Sequence, residues 1–174
     1  DPADLRDSID VVSEPKWSPL DNSYILGHNQ LIFETNPLTY DMELNGSPVA
    51  DLFMSLSSKD IDLELKYYEV QPGQKGFILS TCIQRVSLLA NRSQRKLIEP
   101  GTVNGYTFAN SFFTSRKISK GSVIRLVIKP VNTPYWQKNY GSGKEVSTET
   151  MADAAPITIK FFTNNKQASY ISLP

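Results

Sequence analysis

Hydrophobic and polar positions alternate with a period of two over several stretches of the chain. Leu63, Leu65 and Tyr67 alternate with Asp62, Glu64, Lys66 and Tyr68, which puts apolar and polar side chains on opposite faces of one strand. Ile157, Ile159 and Phe161 do the same against Thr158 and Lys160. The run from Val123 to Ile128 is nearly continuous and rich in β-branched residues, the pattern of a central strand covered on both faces. Further strands are predicted at 42–44, 52–56, 76–86, 106–113 and 170–173. Turn signals separate them: Asn45-Gly46-Ser47-Pro48, Gln71-Pro72-Gly73, Glu99-Pro100-Gly101, Asn104-Gly105 and Ser119-Lys120-Gly121. The best helical segments, 92–97 and 148–155, are short and read equally well as loops. Many strands with few helical segments predict an all-β chain, an antiparallel β-sandwich of the jelly-roll or Greek-key group.

The first 29 residues break this pattern. They are rich in Asp, Ser, Pro and Asn, and Pro2, Pro15 and Pro19 each remove a backbone donor and stop any helix. An extended lead-in is expected over 1–29, with the sandwich domain at 30–174. Trp17, Leu20, Tyr24, Ile25 and Leu26 make the lead-in too apolar for a free linker, so it is expected to lie along a domain surface.

Composition narrows the function. The chain has 174 residues, 40% of them apolar and 21% charged, as in an ordinary globular protein. A domain of this length buries roughly 70% of its unfolded surface without metal or disulfide staples. Eighteen Lys and Arg balance eighteen Asp and Glu, so the basic excess that drives nucleic-acid binding is missing. Cys82 and His28 are the sole residues of their types, which excludes an intrachain disulfide and a Cys/His zinc site. No apolar stretch approaches the roughly 20 residues that cross a bilayer as a helix. The chain opens on Asp1-Pro2 rather than Met, as a trimmed or excised piece would.

Candidate chemistry is sparse. A triad with a histidine base would need His28, yet no Gly-x-Ser-x-Gly elbow presents a nucleophile, so His28 reads as a loop residue. Asp60, Asp62 and Glu64 fit a hard-cation site or a pair of hydrolytic carboxylates, but a solvated polar strand face explains them more simply. The segment from Thr133 to Gly143 gathers Tyr135, Trp136, Asn139 and Tyr140 in one loop. Aromatics with polar tips and neighbouring amides suit packing on the domain, an interdomain contact or the face of a sugar ring. Asn45-Gly46-Ser47 and Asn91-Arg92-Ser93 match the short glycosylation pattern, which matters only in a secreted eukaryotic protein. Gly121 is expected to close a turn whose φ disfavours a β-carbon, and Arg125, inside an apolar strand, is expected to pair with an acid or with carbonyls.

The order of motifs from about Leu31 onward resembles the C-terminal domain of the X-prolyl dipeptidyl-peptidase and cocaine esterase family of α/β-hydrolases. Thr35-Asn36-Pro37-Leu38 and then Gly46-Ser47-Pro48 resemble its opening segment. Asp60-Ile61-Asp62-Leu63 and Glu69-Val70-Gln71-Pro72-Gly73 resemble the strand and turn that follow. Glu99-Pro100-Gly101, the stretch from Ile118 to Leu126 and Asn139-Tyr140-Gly141-Ser142-Gly143 keep the family's order. The resemblance implies a jelly-roll β-sandwich of the galactose-binding-like kind that follows a serine-hydrolase domain in one polypeptide. The family's Ser, Asp and His triad lies in that upstream domain and no residue here matches it. The expectation is therefore a domain with no catalytic residue, metal or cofactor. It would pack on the α/β-hydrolase domain, help shape substrate access and sometimes join homo-oligomer contacts, with no nucleic acid or membrane as partner. Two rival readings remain: a stand-alone carbohydrate- or protein-binding module centred on Tyr135, Trp136 and Tyr140, and a small hydrolase using Asp60 and Asp62.

Overall fold

The alternating segments become strands wherever one of their faces can be buried. The structure, a computed structural model, describes residues 29–132 and 136–174. Its strands are β1 (Leu31–Glu34), β2 (Met42–Gly46), β3 (Val49–Leu56), β4 (Asp62–Val70), β5 (Gly76–Arg85) and β6 (Asn104–Phe108). They continue with β7 (Thr114–Ile118), β8 (Val123–Pro130), β9 (Ile159–Asn164), β10 (Gln167–Ala168) and β11 (Tyr170–Ser172). The lead-in up to residue 28, with His28, lies outside the described residues, as does Tyr135.

All pairings among these strands are antiparallel. One sheet has the order β1-β8-β4-β5. In the other, β3 pairs with β6 along one edge and with β11 and then β9 along the opposite edge, and β10 extends β9. Strands β2 and β7 form a separate two-stranded ribbon. The pairs nest, first with eighth, second with seventh, third with sixth and fourth with fifth, as they do when one long antiparallel ribbon rolls up on itself.

Leu63, Leu65 and Tyr67 turn inward from β4 to meet Leu52, Met54 and Leu56 of β3, Ile124, Leu126 and Ile128 of β8, and Leu44, Phe108 and Ile118 from β2, β6 and β7. The strand at 123–128 is central, as its β-branched run predicts, lying between β1 and β4. A bulge shifts the β4–β5 register between Tyr67 and Tyr68, so that Tyr67 faces Ser80 and Tyr68 faces Ile78. The residue without a direct partner, Leu79, joins the main core.

The structure corrects the sequence reading in three places. The strand expected at 106–113 ends at Phe108, and the next segment is a loop strapped to β5: the Phe112 amide donates to the Thr81 carbonyl and the Ser80 hydroxyl to the Phe112 carbonyl. The polar-looking stretch Thr114–Ile118 is a strand, because its Ile118 finds the core and Arg116 finds buried Glu69, while Ser115 and Lys117 face outward. Neither helical candidate is an α-helix. Segment 92–97 is a loop, and 148–155 contains only the end of one 3₁₀ turn, Val146–Thr148, and a second, Met151–Asp153. Neither segment has an apolar stripe long enough to nucleate more than a turn.

Candidate functional site

Asp60 sits in the turn that leads into β4, and its carboxylate is completely buried. One oxygen accepts the amides of Ile61 and Ser87 at 2.9 and 3.0 Å; the other accepts the Ser87 hydroxyl at 2.8 Å and an Arg95 nitrogen at 3.0 Å. Two residues on, Asp62 takes both forks of Arg85 at 2.8 and 2.9 Å and the Asn139 amide at 2.8 Å. The bond to the Asp62 carboxylate raises the pKa of the Arg85 guanidinium above its ordinary value. The expectation of a solvated acidic face therefore fails at Asp60. Arginines and other hydrogen-bond donors of the protein engage both carboxylates, which argues against the reading of Asp60 and Asp62 as hydrolytic acids.

The aromatic loop is fastened to this network. Asn139 bridges Asp62 and the Gly141 amide, and Glu149 accepts the amides of Tyr140 and Ser142 at 2.8 and 2.9 Å. Arg95 also donates to the Lys144 carbonyl at 2.7 Å, while the Lys59 amide donates to the Gly141 carbonyl. Gly141 has φ +79°, and a β-carbon there would lie 2.8 Å from the Asp60 carbonyl oxygen and 2.9 Å from Ile157. Only glycine lets the loop approach so closely. Of the residues singled out in this loop, Asn139 and Tyr140 are held half-buried. They line a cavity of about 290 Å³, with Asp62, Lys129 and Phe161 among its other walls. Trp136 projects outward, 57% exposed. The Lys138 ammonium lies 5.8 Å from the Tyr140 ring centre, within cation–π range.

At the other end of β4, Glu69 is equally buried. It accepts Arg116 from β7 at 2.8 Å, the Ser122 hydroxyl at 3.0 Å, Gln71 at 3.2 Å and, more weakly, the Ser119 amide at 3.4 Å. Burial pushes the Glu69 carboxyl up, but Arg116 and the other donors outweigh it and hold the pKa below the ordinary carboxylate value. Arg116 in turn lies 3.8 Å over the Phe77 ring. Arg125 has the acid partner expected of it, Glu34 on the adjacent β1. The sequence reading passed over Ser87, Arg95, Arg116 and Glu149, because none has a neighbour in sequence that hints at its partner.

The surface also exposes large apolar side chains. Phe112 and Phe113 stand out beside β5, and Phe33 and Tyr170 border a groove of about 210 Å³ between the two sheets, floored by Leu52, Leu126 and Ile171.

Comparison with known proteins agrees with this architecture. Residues 7–171 match the model of the X-Pro dipeptidyl-peptidase C-terminal non-catalytic domain. The cocaine esterase of Rhodococcus sp. (strain MB1 Bresler) is 26% identical over 145 residues, which cover 83% of this chain and 25% of that protein. Among solved structures, an aminopeptidase from a marine sediment Thaumarchaeota archaeon superposes with a TM-score of 0.77 at 20% identity, covering 84% of this chain and 25% of that one. An α-amino acid ester hydrolase gives 0.78 at 22% identity with the same coverage, and a CocE/NonD family hydrolase of Staphylococcus aureus gives 0.62 at 15% identity, covering 83% and 30%. The chain spans about a quarter of the length of the cocaine esterase and of the first two of these structures.

Proposed function

We propose that this chain, which belongs to the family of X-Pro dipeptidyl-peptidase C-terminal non-catalytic domains, works as an accessory domain that docks on the α/β-hydrolase domain of a serine peptidase or esterase. There it helps shape access to the substrate site and supplies surface for oligomer contacts. Residues 1–29 act as the lead-in from the catalytic part, and 30–174 form a jelly-roll domain of the galactose-binding-like kind. The observation that carries the docking is the groove beside β1. An isolated domain gains nothing by leaving Phe33 and Tyr170 exposed at the rim of an apolar groove, whereas an interdomain contact would bury both. The buried acids support the same reading, since each is consumed in holding loops and none is left for acid–base work.

The test is chemical. The purified chain is expected to leave a fluorophosphonate probe unreacted and aryl esters intact; labelling of any serine would overturn the non-catalytic reading. Docking is tested by mixing the chain with the separately produced hydrolase portion of its parent polypeptide. Phe33→Asp with Tyr170→Asp is expected to abolish the complex, and an unchanged complex would move the interface elsewhere.

A second reading has one observation in its favour. Trp136 is exposed in the same loop as Asn139 and Tyr140, which line a cavity, and an exposed aromatic ring is what a sugar-binding platform needs. A glycan array without hits would remove it.

A further inference from the structure

At the β5 edge of the sandwich, exposed aromatic side chains stand on a stretch of surface without charge. Phe112 and Phe113 are 73% and 70% exposed, and Ile83, on β5 itself, is 38% exposed. The two phenylalanines are held in place. Ser111 and Thr114 on either side of them are buried, and Phe112 is tied to β5 through its amide, to Thr81, and through its carbonyl, to the Ser80 hydroxyl. An aromatic anchor fixed before contact loses little conformational freedom when a partner covers it. The sequence that builds this edge is neutral: residues 76–84 of β5, and 100–115 through β6 and the strapped loop, contain no Asp, Glu, Lys or Arg, in a chain whose residues are 21% charged. Edge strands that stay single commonly carry charge or proline against a second chain. At the β1 edge, by contrast, Phe33 is followed by Glu34 in its ion pair with Arg125, and Tyr170 stands opposite Asp51.

We propose that the β5 edge is where two copies of this chain associate, in an isologous contact that sets Phe112, Phe113 and Ile83 of one copy against the same three residues of the other. A two-fold axis turns a surface onto its own image. A charged patch is repelled by that image, whereas a neutral aromatic one is complementary to it. Position agrees with charge. In the order β1-β8-β4-β5 the two exposed apolar features lie on opposite edges, so a hydrolase domain seated in the groove beside β1 leaves the β5 edge open for a second copy. The proposal gives the oligomer contact named above a surface and a symmetry, and it rests on that reading only in assigning the β1 groove to the hydrolase domain.

The test follows the mass of the whole chain by sedimentation as its concentration is raised. A contact built on two aromatic side chains per copy is small and weak, so the weight-average mass is expected to climb from 19.5 kDa toward twice that value between about 1 and 300 µM. A chain that stays monomeric throughout overturns the proposal. Phe112→Asp with Phe113→Asp alters only exposed side chains and is expected to keep the chain monomeric with its urea unfolding unchanged; a folded variant that still dimerises sinks the proposal equally. Symmetry is read at Asn110, exposed beside the pair. Asn110→Asp and Asn110→Lys are each expected to weaken self-association roughly tenfold at low salt, since like charges then meet within a Debye length of about 10 Å, and an equal mixture of the two variants is expected to restore it. A mixture no stronger than either variant alone rules out the two-fold arrangement. Phe33→Asp with Tyr170→Asp separates this proposal from docking. It is expected to leave self-association as in the parent chain, and if it also leaves the complex with the hydrolase portion intact, the docking reading falls while this one stands. Loss of the hydrolase complex on Phe112→Asp with Phe113→Asp would assign the β5 edge to that domain and overturn the proposal.

Discussion

A buried carboxylate stands near each end of strand β4, Asp60 in the turn before it and Glu69 within it, and the two are put to different use. Asp60 gathers long segments that have little backbone pairing of their own: the turn after β5 through Ser87, the following loop through Arg95, and, by way of Asp62 and Asn139, the aromatic loop. Glu69 ties down a tight turn that already holds itself. The Ser122 amide donates to the Ser119 carbonyl, the Gly121 amide to the Leu38 carbonyl and the Leu38 amide to the Ser122 carbonyl. Each acid has a left-handed glycine beside it. At Gly141 a β-carbon would strike the Asp60 carbonyl, whereas at Gly121, φ +85°, the space is open. A buried charge is thus structural glue in proportion to how little else orders the segments it touches.

This contrast is open to direct attack, and the largest effect is expected at Asp60. Asp60→Ala leaves Arg95 without its buried partner and two donors of Ser87 unsatisfied, and is expected to cost about 3–5 kcal/mol in urea unfolding. A loss below that of Glu69→Gln would reverse the ranking of the two ends. Gly141→Ala combines left-handed strain with a backbone collision and is expected to cost about 2–4 kcal/mol, with Tyr140 and the cavity it lines disturbed. Gly121→Val meets only the strain, about 1–3 kcal/mol; an unchanged melting temperature would remove the turn's role.

The smallest effect at neutral pH, about 1–2 kcal/mol, is expected for Glu69→Gln, which keeps the shape and loses the charge-assisted bond to Arg116. Its signature is in acid. The folded pKa of Glu69 lies below its ordinary value of 4.5, so its contribution is complete above about pH 4.5 and is lost as the pH falls through the folded value. The stability of Glu69→Gln should therefore fall less steeply than that of the parent chain below pH 4.5. Parallel curves would show that Arg116 gains nothing from the charge.

Much of the fold was legible because a sandwich strand announces itself. The alternation at Leu63, Leu65 and Tyr67 and the run at 123–128 each predict the face they bury, and Gly121 and Arg125 behave as their residue types require. The predicted strand at 106–113 overran because Phe112 and Phe113 look like core residues, yet the loop around them is strapped outside β5. Strand β7 was missed for the converse reason, since Thr114–Ile118 is polar except at its last residue. The candidate loop stands out in the sequence by its aromatics, but the hydrogen bonds that fasten it come from other residues. Asn139 and Glu149 supply them, and short-range pattern cannot reveal such bonds.

The sequence by itself determined an all-β chain, its central strand and the family to which its ordered motifs point, because periodicity and turn chemistry are local properties. Tertiary structure alone decided that Asp60 is an internal clamp rather than a solvated acid. Its partners Ser87 and Arg95 lie 27 and 35 residues away, and burial of a charge is set by what folds over it, not by the residues on either side.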